Sequence, residues 1–197
     1  MVEIILILFG YLLGSVPTGF ILGWMAGVDV RKAGSGNVGA TNVARVAGKR
    51  QGFLTLIGDT AKGVVPVILA LQMGANLTTT VMAGGAAFVG HLYPVFLKFR
   101  GGKGVATALG VFVALAPVAA LVLILMFIAI ALSSRIVSVG SIATAMAAPL
   151  ILWLFSYPPI VVGMAVFIAA AITLRHRSNI QRLLNGTEPR FGSANSR

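Results

Sequence analysis

Long apolar runs separated by short polar stretches make up nearly all of the chain. The apolar runs cover residues 4–28, 53–73, 77–97, 105–132, 136–155 and 160–174. Because a helix needs ~20 residues to cross a bilayer, this pattern indicates membrane-spanning helices rather than a soluble fold. Pro17 lies inside the first run and predicts a kink there. We expect a single domain over residues 1–197 that is all-α and polytopic in the membrane.

The run at residues 105–132 differs from the others in length. At ~1.5 Å per residue it would form roughly 42 Å of helix, which is too long for one crossing and short for two full ones. Pro117 lies near its middle, where a helix is readily interrupted. We therefore predict two short helices in this run, which brings the count to about seven transmembrane helices.

Positive charge is unevenly distributed among the polar connections. Lysine and arginine concentrate in the first polar stretch (residues 31–50), the second polar stretch (98–104) and the third polar stretch (175–190), with Lys62 and Arg135 besides. The connections near residues 74–76, 117 and 157–159 carry none. Since cytoplasmic loops hold the positive excess, we expect the N-terminus outside, the C-terminus in the cytoplasm and all three polar stretches on the cytoplasmic side.

Composition narrows the class of protein further. Only 10% of the residues are charged, whereas soluble domains have roughly 25%. The chain has no cysteine and two histidines, which excludes a thiol nucleophile, thiolate metal sites and a histidine-rich metal cluster. The net charge of +11 suggests an anionic lipid or substrate at one face. We expect no metal, no cofactor, no nucleic-acid partner, and a disordered end at residues 193–197.

The first two polar stretches have the composition of phosphate sites. In the first, glycines can leave backbone amides open to an anion, while Ser35, Asn37, Thr41 and Asn42 offer short polar side chains. In the second, glycines and a lysine directly precede a predicted helix start, where the helix dipole also favours an anion. The alternatives are a basic loop between two membrane helices and a glycine-rich turn whose lysines and arginines reach toward the membrane surface.

The third polar stretch and the second apolar run carry further candidates. His176, Asn179 and Arg182 are spaced by three residues, so a helix would put them on one face; the alternative is an amphipathic tail lying on anionic lipid. Asp59 and Lys62 are also three apart and can pair on a helix. Charges at that depth usually face a cavity or a partner, and a purely structural ion pair is the alternative.

Three segments, SGNVGATN (35–42), FRGGKGVAT (99–107) and HRSNIQRLLNGTE (176–188), resemble the signature motifs of the bacterial membrane-integral acyl-phosphate:glycerol-3-phosphate acyltransferases, the PlsY type. GDTAKG (58–63) is also similar to that family's pattern, and the resemblance covers essentially the whole chain. One departure follows Glu188, where Pro-Arg stands and the family would have a lysine two residues on. Arg190 keeps the basic character there.

The resemblance implies an activity and a place for it. A fatty acyl group would pass from acyl phosphate in the membrane to the sn-1 hydroxyl of glycerol 3-phosphate from the cytosol, giving lysophosphatidic acid and phosphate in phospholipid biosynthesis. The site would lie on the cytoplasmic side of a bacterial inner membrane. One substrate has an apolar tail and an anionic head and the other is a small dianion, so a basic site at membrane level, among membrane lipids, suits both.

The resemblance also implies residue roles. The expected catalytic residues are Ser35, His176 and Asn179, with His176 as the candidate base unless a phosphate oxygen of the substrate takes the proton. The expected substrate-binding residues are Gly36, Asn37, Gly39, Thr41, Asn42, Arg45, Lys62, Gly101, Gly102, Lys103, Gly104, Thr107, Arg182 and Glu188. The glycine amides of the first two polar stretches, with Ser35 and Thr41, would cradle phosphate. Arg45 and Lys103 would clamp glycerol 3-phosphate, and Asn179 would orient the reacting groups. His91 is expected to be structural.

Two other classes of protein remain as alternatives. An organic-anion or phosphate transporter would also use basic residues and broken helices, but it would normally show internal repeats, and none is evident. A lipid-binding scaffold would need the basic tail but not the Ser-Gly-Asn segment. A histidine–aspartate dyad with five-residue spacing is missing, because Phe96 follows His91 and Gln181 follows His176 at that distance.

Overall fold

The computed structural model describes residues 1–191, and the expectation for residues 193–197 lies outside them. The regular structure over residues 1–191 is entirely helical, which confirms the all-α prediction. The α-helices in chain order are α1 (Val2–Ser15), α2 (Thr18–Met25), α3 (Ala40–Val46), α4 (Lys49–Gln72), α5 (Leu77–Leu92), α6 (Val105–Leu115), α7 (Pro117–Ser134), α8 (Val137–Leu154), α9 (Pro159–Arg175) and α10 (Arg177–Leu184), and a 3-10 helix covers Val95–Leu97.

Prolines interrupt the helices where the sequence predicts. The first apolar run is divided into α1 and α2, with Val16 and Pro17 between them. The long run at 105–132 is divided into α6 and α7, because the backbone leaves the helical conformation at Ala116 and Pro117 begins the next helix. Proline favours this first helical position, since its missing N–H would have no partner there anyway. Both predicted breaks are confirmed.

Several helices are long and apolar enough to cross a membrane. They are Val2–Met25, Lys49–Gln72, Leu77–Leu97, Pro117–Ser134 and Val137–Leu154, and α9 with α10 forms a sixth candidate that is bent by 59°. The helix α6 is also apolar but shorter. The chain is therefore a polytopic membrane protein by length and composition of its helices.

The described chain forms two compact units, of which the first is Met1–Leu115. Within it, α1 packs against α5 and α4 packs against α6. Small residues allow these close approaches: a Cβ at Gly14 would overlap the carbonyl of Ala87, and one at Gly63 would overlap the carbonyl of Thr107. Small residues at helix interfaces are the usual packing device in membranes.

The second unit begins at Ala116. In it α8 packs against both α7 and α9, and Gly140 on α8 lies against the ring of Phe127 on α7. The end of the described chain returns to the start of α8, since the N–H of Phe191 donates to the carbonyl of Arg135 at 2.9 Å. The prediction of a single domain over residues 1–197 stays a prediction.

Candidate functional site

The first polar stretch folds around the buried side chain of Asn42, forming what we call the Asn42 loop (residues 30–42). The Asn42 carboxamide nitrogen donates to the carbonyls of Val30 at 3.0 Å, Ala33 at 3.1 Å and Asn37 at 2.8 Å, and its oxygen accepts the N–H of Ser35 at 2.8 Å. All of its polar atoms are thus used within the chain. The role in substrate contact expected for Asn42 does not fit this geometry, and we assign it to shaping the loop.

The glycines of the Asn42 loop serve its turns. Gly34 and Gly36 have positive φ angles of 59° and 71°, a conformation that glycine adopts at little cost. The N–H of Gly36 donates to the carbonyl of Ala33 at 3.1 Å, and the N–H of Gly39 donates to the Asn37 side-chain oxygen at 3.1 Å. These two amides were expected to cradle phosphate, and in the structure they are already engaged.

The cations around this loop differ in what they contact. Arg31 makes a two-pronged ion pair with Asp29, both contacts at 2.9 Å, and its guanidinium lies 4.4 Å from the centre of the Phe20 ring. The hydrogen bond from Arg31 lowers the pKa of Asp29 to about 2. Arg45 on α3 is exposed and makes no hydrogen bond or ion pair with any of residues 1–191. It is therefore available to an anionic ligand, as are the exposed hydroxyls of Ser35 and Thr41.

The second polar stretch turns back onto the end of α5. The N–H of Gly101 donates to the carbonyl of Leu92 at 3.1 Å and that of Gly102 to the carbonyl of His91 at 3.2 Å. The expected cradling of phosphate by these two amides does not fit, since both already have backbone acceptors. Lys103 and Gly104 follow directly, just before α6 begins, so Lys103 stands at a helix N-terminus, where the dipole favours an anion.

A buried ionic cluster lies in the first unit, formed by Asp59, Lys62 and His91. Lys62 Nζ is 2.9 Å from Asp59 Oδ1 and donates to the carbonyl of Val16 at 2.9 Å. His91 Nδ1 is 3.7 Å from the same carboxylate oxygen. The predicted pairing of Asp59 with Lys62 is confirmed. The expected contact of Lys62 with substrate is not favoured, because its side chain is only 5% exposed and its ammonium already has two oxygen partners.

Thr107 lies in the first turn of α6 and is fully buried. Its hydroxyl has no hydrogen-bond partner among residues 1–191, and its carbonyl faces Gly63 on α4. The structure therefore places Thr107 inside the packing of α4 and α6. Its expected substrate contact stays a prediction.

In the second unit, His176 occupies the bend between α9 and α10, and its side chain is buried. Its Nδ1 lies 2.8 Å from the carbonyl oxygen of Ile172. Because a carbonyl can only accept, Nδ1 carries the proton, and Nε2 is the basic nitrogen of the neutral ring. This tautomer is the one that a general base at Nε2 requires.

Beyond the bend, four side chains form the Glu188 cluster (Ser138, Asn179, Arg182 and Glu188). One Glu188 oxygen accepts from Asn179 Nδ2 at 2.5 Å and from Ser138 Oγ at 2.7 Å, and the other accepts from Arg182 Nε at 2.7 Å. Burial raises the pKa of Glu188, but the hydrogen bonds from Asn179, Ser138 and Arg182 outweigh it and hold that pKa below its ordinary value. The shared face predicted for Asn179 and Arg182 is confirmed, with Glu188 as their common partner.

Sequence reasoning missed Ser138. It belongs to α8 and meets Glu188 across 50 positions of sequence, outside every polar stretch. Serines in apolar helices most often bond to their own helix backbone, as Ser141 does with the carbonyl of Val137, so the sequence contains no signal that distinguishes Ser138.

The predicted meeting of all three polar stretches at one face stays a prediction.

Comparisons with known proteins agree with one another. The family model described as Glycerol-3-phosphate acyltransferase matches residues 4–186. The chain is 48% identical to the glycerol-3-phosphate acyltransferase of Geobacter sulfurreducens, with 96% of this chain and 97% of that protein covered. It is 46% identical to the enzyme of that name from Aquifex aeolicus, covering 97% of this chain and all of that one.

Two solved structures share the fold. One is a crystal structure of PlsY (YgiH), an integral membrane glycerol 3-phosphate acyltransferase, in its glycerol 3-phosphate form, with a TM-score of 0.94, 46% identity, and 98% of this chain and 96% of that one covered. The other is the lysophosphatidic acid form, with a TM-score of 0.92, 44% identity, and 100% of this chain and 98% of that one covered. From its sequence and its fold, the chain belongs to the glycerol-3-phosphate acyltransferase family.

Proposed function

We propose that this protein transfers the fatty acyl group of an acyl phosphate to the sn-1 hydroxyl of glycerol 3-phosphate, releasing lysophosphatidic acid and inorganic phosphate. The observation that carries the proposal is the family match over residues 4–186, together with a relative of nearly the same fold described in glycerol 3-phosphate and lysophosphatidic acid forms. The cations of the polar stretches supply the charge that such anionic molecules require.

Glycerol 3-phosphate is held by cationic side chains. Arg45 is exposed with no partner among residues 1–191, and a guanidinium can bind a phosphate through two parallel hydrogen bonds. Lys103 adds a full charge just before the start of α6, where the helix dipole favours an anion. Since the glycine amides of both stretches are largely engaged within the chain, these side chains, with the hydroxyls of Ser35 and Thr41, do most of the phosphate binding.

The reaction needs no covalent enzyme intermediate, because an acyl phosphate is already an activated mixed anhydride. The sn-1 hydroxyl oxygen attacks the acyl carbon, the bond from that carbon to the phosphate oxygen breaks, and phosphate leaves with the electron pair. The hydroxyl proton goes to Nε2 of His176 or to a phosphate oxygen of the substrate. Asn179, held by Glu188, orients the reacting groups, and the cations stabilise the charge that develops on the leaving phosphate.

The donor is acyl phosphate rather than a thioester. An apolar groove lined by Phe9, Leu13 and Val65 lies beside Lys62, so an acyl chain can approach this part of the first unit from the bilayer. We expect purified protein to form lysophosphatidic acid from acyl phosphate and glycerol 3-phosphate with nothing else added. Comparable turnover with acyl-coenzyme A would contradict the proposed donor, and no product from either donor would contradict the proposed function.

The chain crosses the bacterial cytoplasmic membrane seven times, with the N-terminus outside and the polar stretches inside. The charge distribution supports this topology, with the short apolar helix α6 crossing outward and α7 crossing back. Because the chain has no cysteine, single cysteines can report it. Cysteines at Met73 and Ser156, both exposed, should react with an impermeant maleimide in intact cells, and one at Ser133 only after permeabilisation. Labelling of Ser133→Cys in intact cells would contradict the topology.

A further inference from the structure

The buried ionic cluster of Asp59, Lys62 and His91 has no part in the mechanism above. Each of the three side chains is at most 5% exposed, and burying charged groups is unfavourable unless they are paired and hydrogen-bonded. They line a small pocket together with Val16 and Val38, that is, beside the break between α1 and α2 and beside the Asn42 loop. The cluster therefore lies where several parts of the first unit meet.

The second polar stretch packs directly on this cluster. A side chain at Gly102 would overlap the His91 ring, with Nε2 as the nearest atom, so the imidazole fills the place of the missing side chain. The N–H of Gly102 also donates to the His91 carbonyl at 3.2 Å. The segment that carries Lys103 thus lies against both the ring and the backbone of His91.

The other nitrogen of the His91 ring faces the ion pair. His91 Nδ1 is 3.7 Å from Asp59 Oδ1, and that oxygen is 2.9 Å from Lys62 Nζ. Lys62 in turn donates to the carbonyl of Val16, at the end of α1. A continuous chain of contacts therefore joins the helix break, α4, α5 and the second polar stretch.

We propose that His91 is a positioning residue for residues 101–104, held in place by the Asp59–Lys62 ion pair, so that it sets where Lys103 meets its anion. The inference rests on the proposed function, since it takes glycerol 3-phosphate as that anion. It also gives Gly102 a specific reason to be glycine. The residue must leave room for the His91 ring, since the three atoms nearest to a Cβ at this position all belong to that ring, and its own φ lies outside the left-handed range.

The neighbouring Gly101 supplies a matched control. A side chain at Gly101 would overlap the carbonyl oxygens of His91 and Leu92 and the Pro94 ring. Backbone atoms cannot be removed by substitution, so shortening the His91 side chain opens no room at Gly101. A shorter side chain at position 91 should therefore restore activity to Gly102→Ala but not to Gly101→Ala.

The experiment measures kcat and KM for glycerol 3-phosphate in Gly102→Ala, His91→Ala and the double variant. We expect Gly102→Ala to lower kcat/KM about hundredfold, mainly by raising KM, since a 1 Å displacement of a positioned group can have that effect. Adding His91→Ala should recover at least about tenfold, a coupling typical of residues in direct contact. Gly101→Ala should not recover when His91→Ala is added. His91→Ser, which also clears the space, is measured in parallel so that poor folding of one variant does not decide the result.

Two results would overturn the inference. One is a double variant at positions 91 and 102 that is no better than Gly102→Ala, which would mean that the glycine serves close approach of substrate. The other is equal recovery at Gly101, which would mean that His91 variants act non-specifically. Wild-type protein that makes no lysophosphatidic acid would instead overturn the proposed function, so the two failures are distinguishable.

Discussion

The Asn42 loop and the Glu188 cluster are each organised by one polar side chain, but the two side chains use different partners. Asn42 is neutral, and its partners among the described residues are backbone groups, three carbonyls and one N–H. Glu188 is a carboxylate, and its hydrogen bonds within residues 1–191 come from the side chains of Ser138, Asn179 and Arg182. The first arrangement fixes the path of a chain segment, and the second fixes the orientation of side chains.

The two centres also differ in whether their hydrogen bonds depend on charge. A neutral residue bonded to backbone has no titrating group, so the loop that presents Ser35 should keep its shape across the pH range. A carboxylate holding Asn179 and Arg182 depends on its charge, because hydrogen bonds to charged groups are roughly twice as strong as neutral ones. Substitutions at the two centres should therefore fail in different ways.

The largest effect is expected for Asn42→Asp. A carboxylate cannot donate, so the carbonyls of Val30, Ala33 and Asn37 would lose their donor and face a negative charge. Each buried polar group left unsatisfied costs about 1–3 kcal/mol, so the summed penalty is comparable to the whole stability of a domain. We expect little folded protein, measured as detergent-extracted monodisperse material and its Tm.

The matched control is Asn37→Asp in the same loop. The Asn37 side-chain oxygen accepts the N–H of Gly39, and a carboxylate can accept it as well. This variant should fold in near-normal yield. Equal loss of folded protein in Asn37→Asp and Asn42→Asp would contradict the role of Asn42 as the centre of the loop.

An intermediate effect is expected for Glu188→Gln. The amide keeps the size of the side chain but loses the charge, so the contacts with Arg182, Asn179 and Ser138 weaken. Hydrogen bonds to charged groups contribute about 1.5–3 kcal/mol, which corresponds to roughly ten- to hundredfold in kcat. Glu3→Gln is the control, because the Glu3 carboxylate accepts a hydrogen bond from the exposed side chain of Asn76, and it should leave kcat near wild type. Unchanged kcat in Glu188→Gln would show that the Glu188 cluster does not contribute to the reaction.

The charge of Glu188 also predicts a dependence on pH. Its folded-state pKa lies below the ordinary value of 4.5, so its contribution to stability is fully present above pH 4.5 and is lost as the pH falls through the lowered pKa. The Tm difference between wild type and Glu188→Gln should be constant near neutral pH and shrink below pH 4.5. A difference that grows on acidification would contradict the assigned sign.

The smallest effect is expected for Ser138→Ala. It removes one of three donors to the Glu188 carboxylate and leaves the others in place. A single hydrogen bond contributes about 1 kcal/mol, so we expect a loss of only a few-fold in kcat. Ser133→Ala, whose hydroxyl donates to its own helix at Ile130, should show none. A loss as large as that of Glu188→Gln would indicate that Ser138 acts on substrate directly.

The sequence was sufficient where local spacing decides the structure. Apolar runs and prolines at 17 and 117 predict the helices and their breaks, and the three-residue spacing of Asp59 and Lys62 predicts their ion pair. These features depend on helix periodicity and on the missing N–H of proline. Neither requires knowledge of distant contacts.

Features set by loop conformation or by distant contacts were not predictable. Nothing in the sequence indicates that Asn42 turns inward to meet Val30 twelve positions earlier, or that Glu188 reaches Ser138 on another helix. The composition of the first two polar stretches predicts glycine N–H groups that are available to an anion. In the structure several of these N–H groups donate to acceptors within the chain instead. Composition can indicate a phosphate site, but only the fold shows which donors remain available.

In the mechanism that we propose, cationic side chains, Lys103 among them, offset the repulsion between two anionic head groups during acyl transfer. The direct measurement is kcat/KM of purified Lys103→Gln with acyl phosphate and glycerol 3-phosphate, beside Lys98→Gln, an exposed lysine of the same stretch. Glutamine keeps donors and similar length but has no charge. We predict a loss of about ten- to hundredfold for Lys103→Gln and near-wild-type values for Lys98→Gln. Near-wild-type kinetics in Lys103→Gln, at matched amounts of folded protein, would show that the Lys103 charge does not act in the reaction.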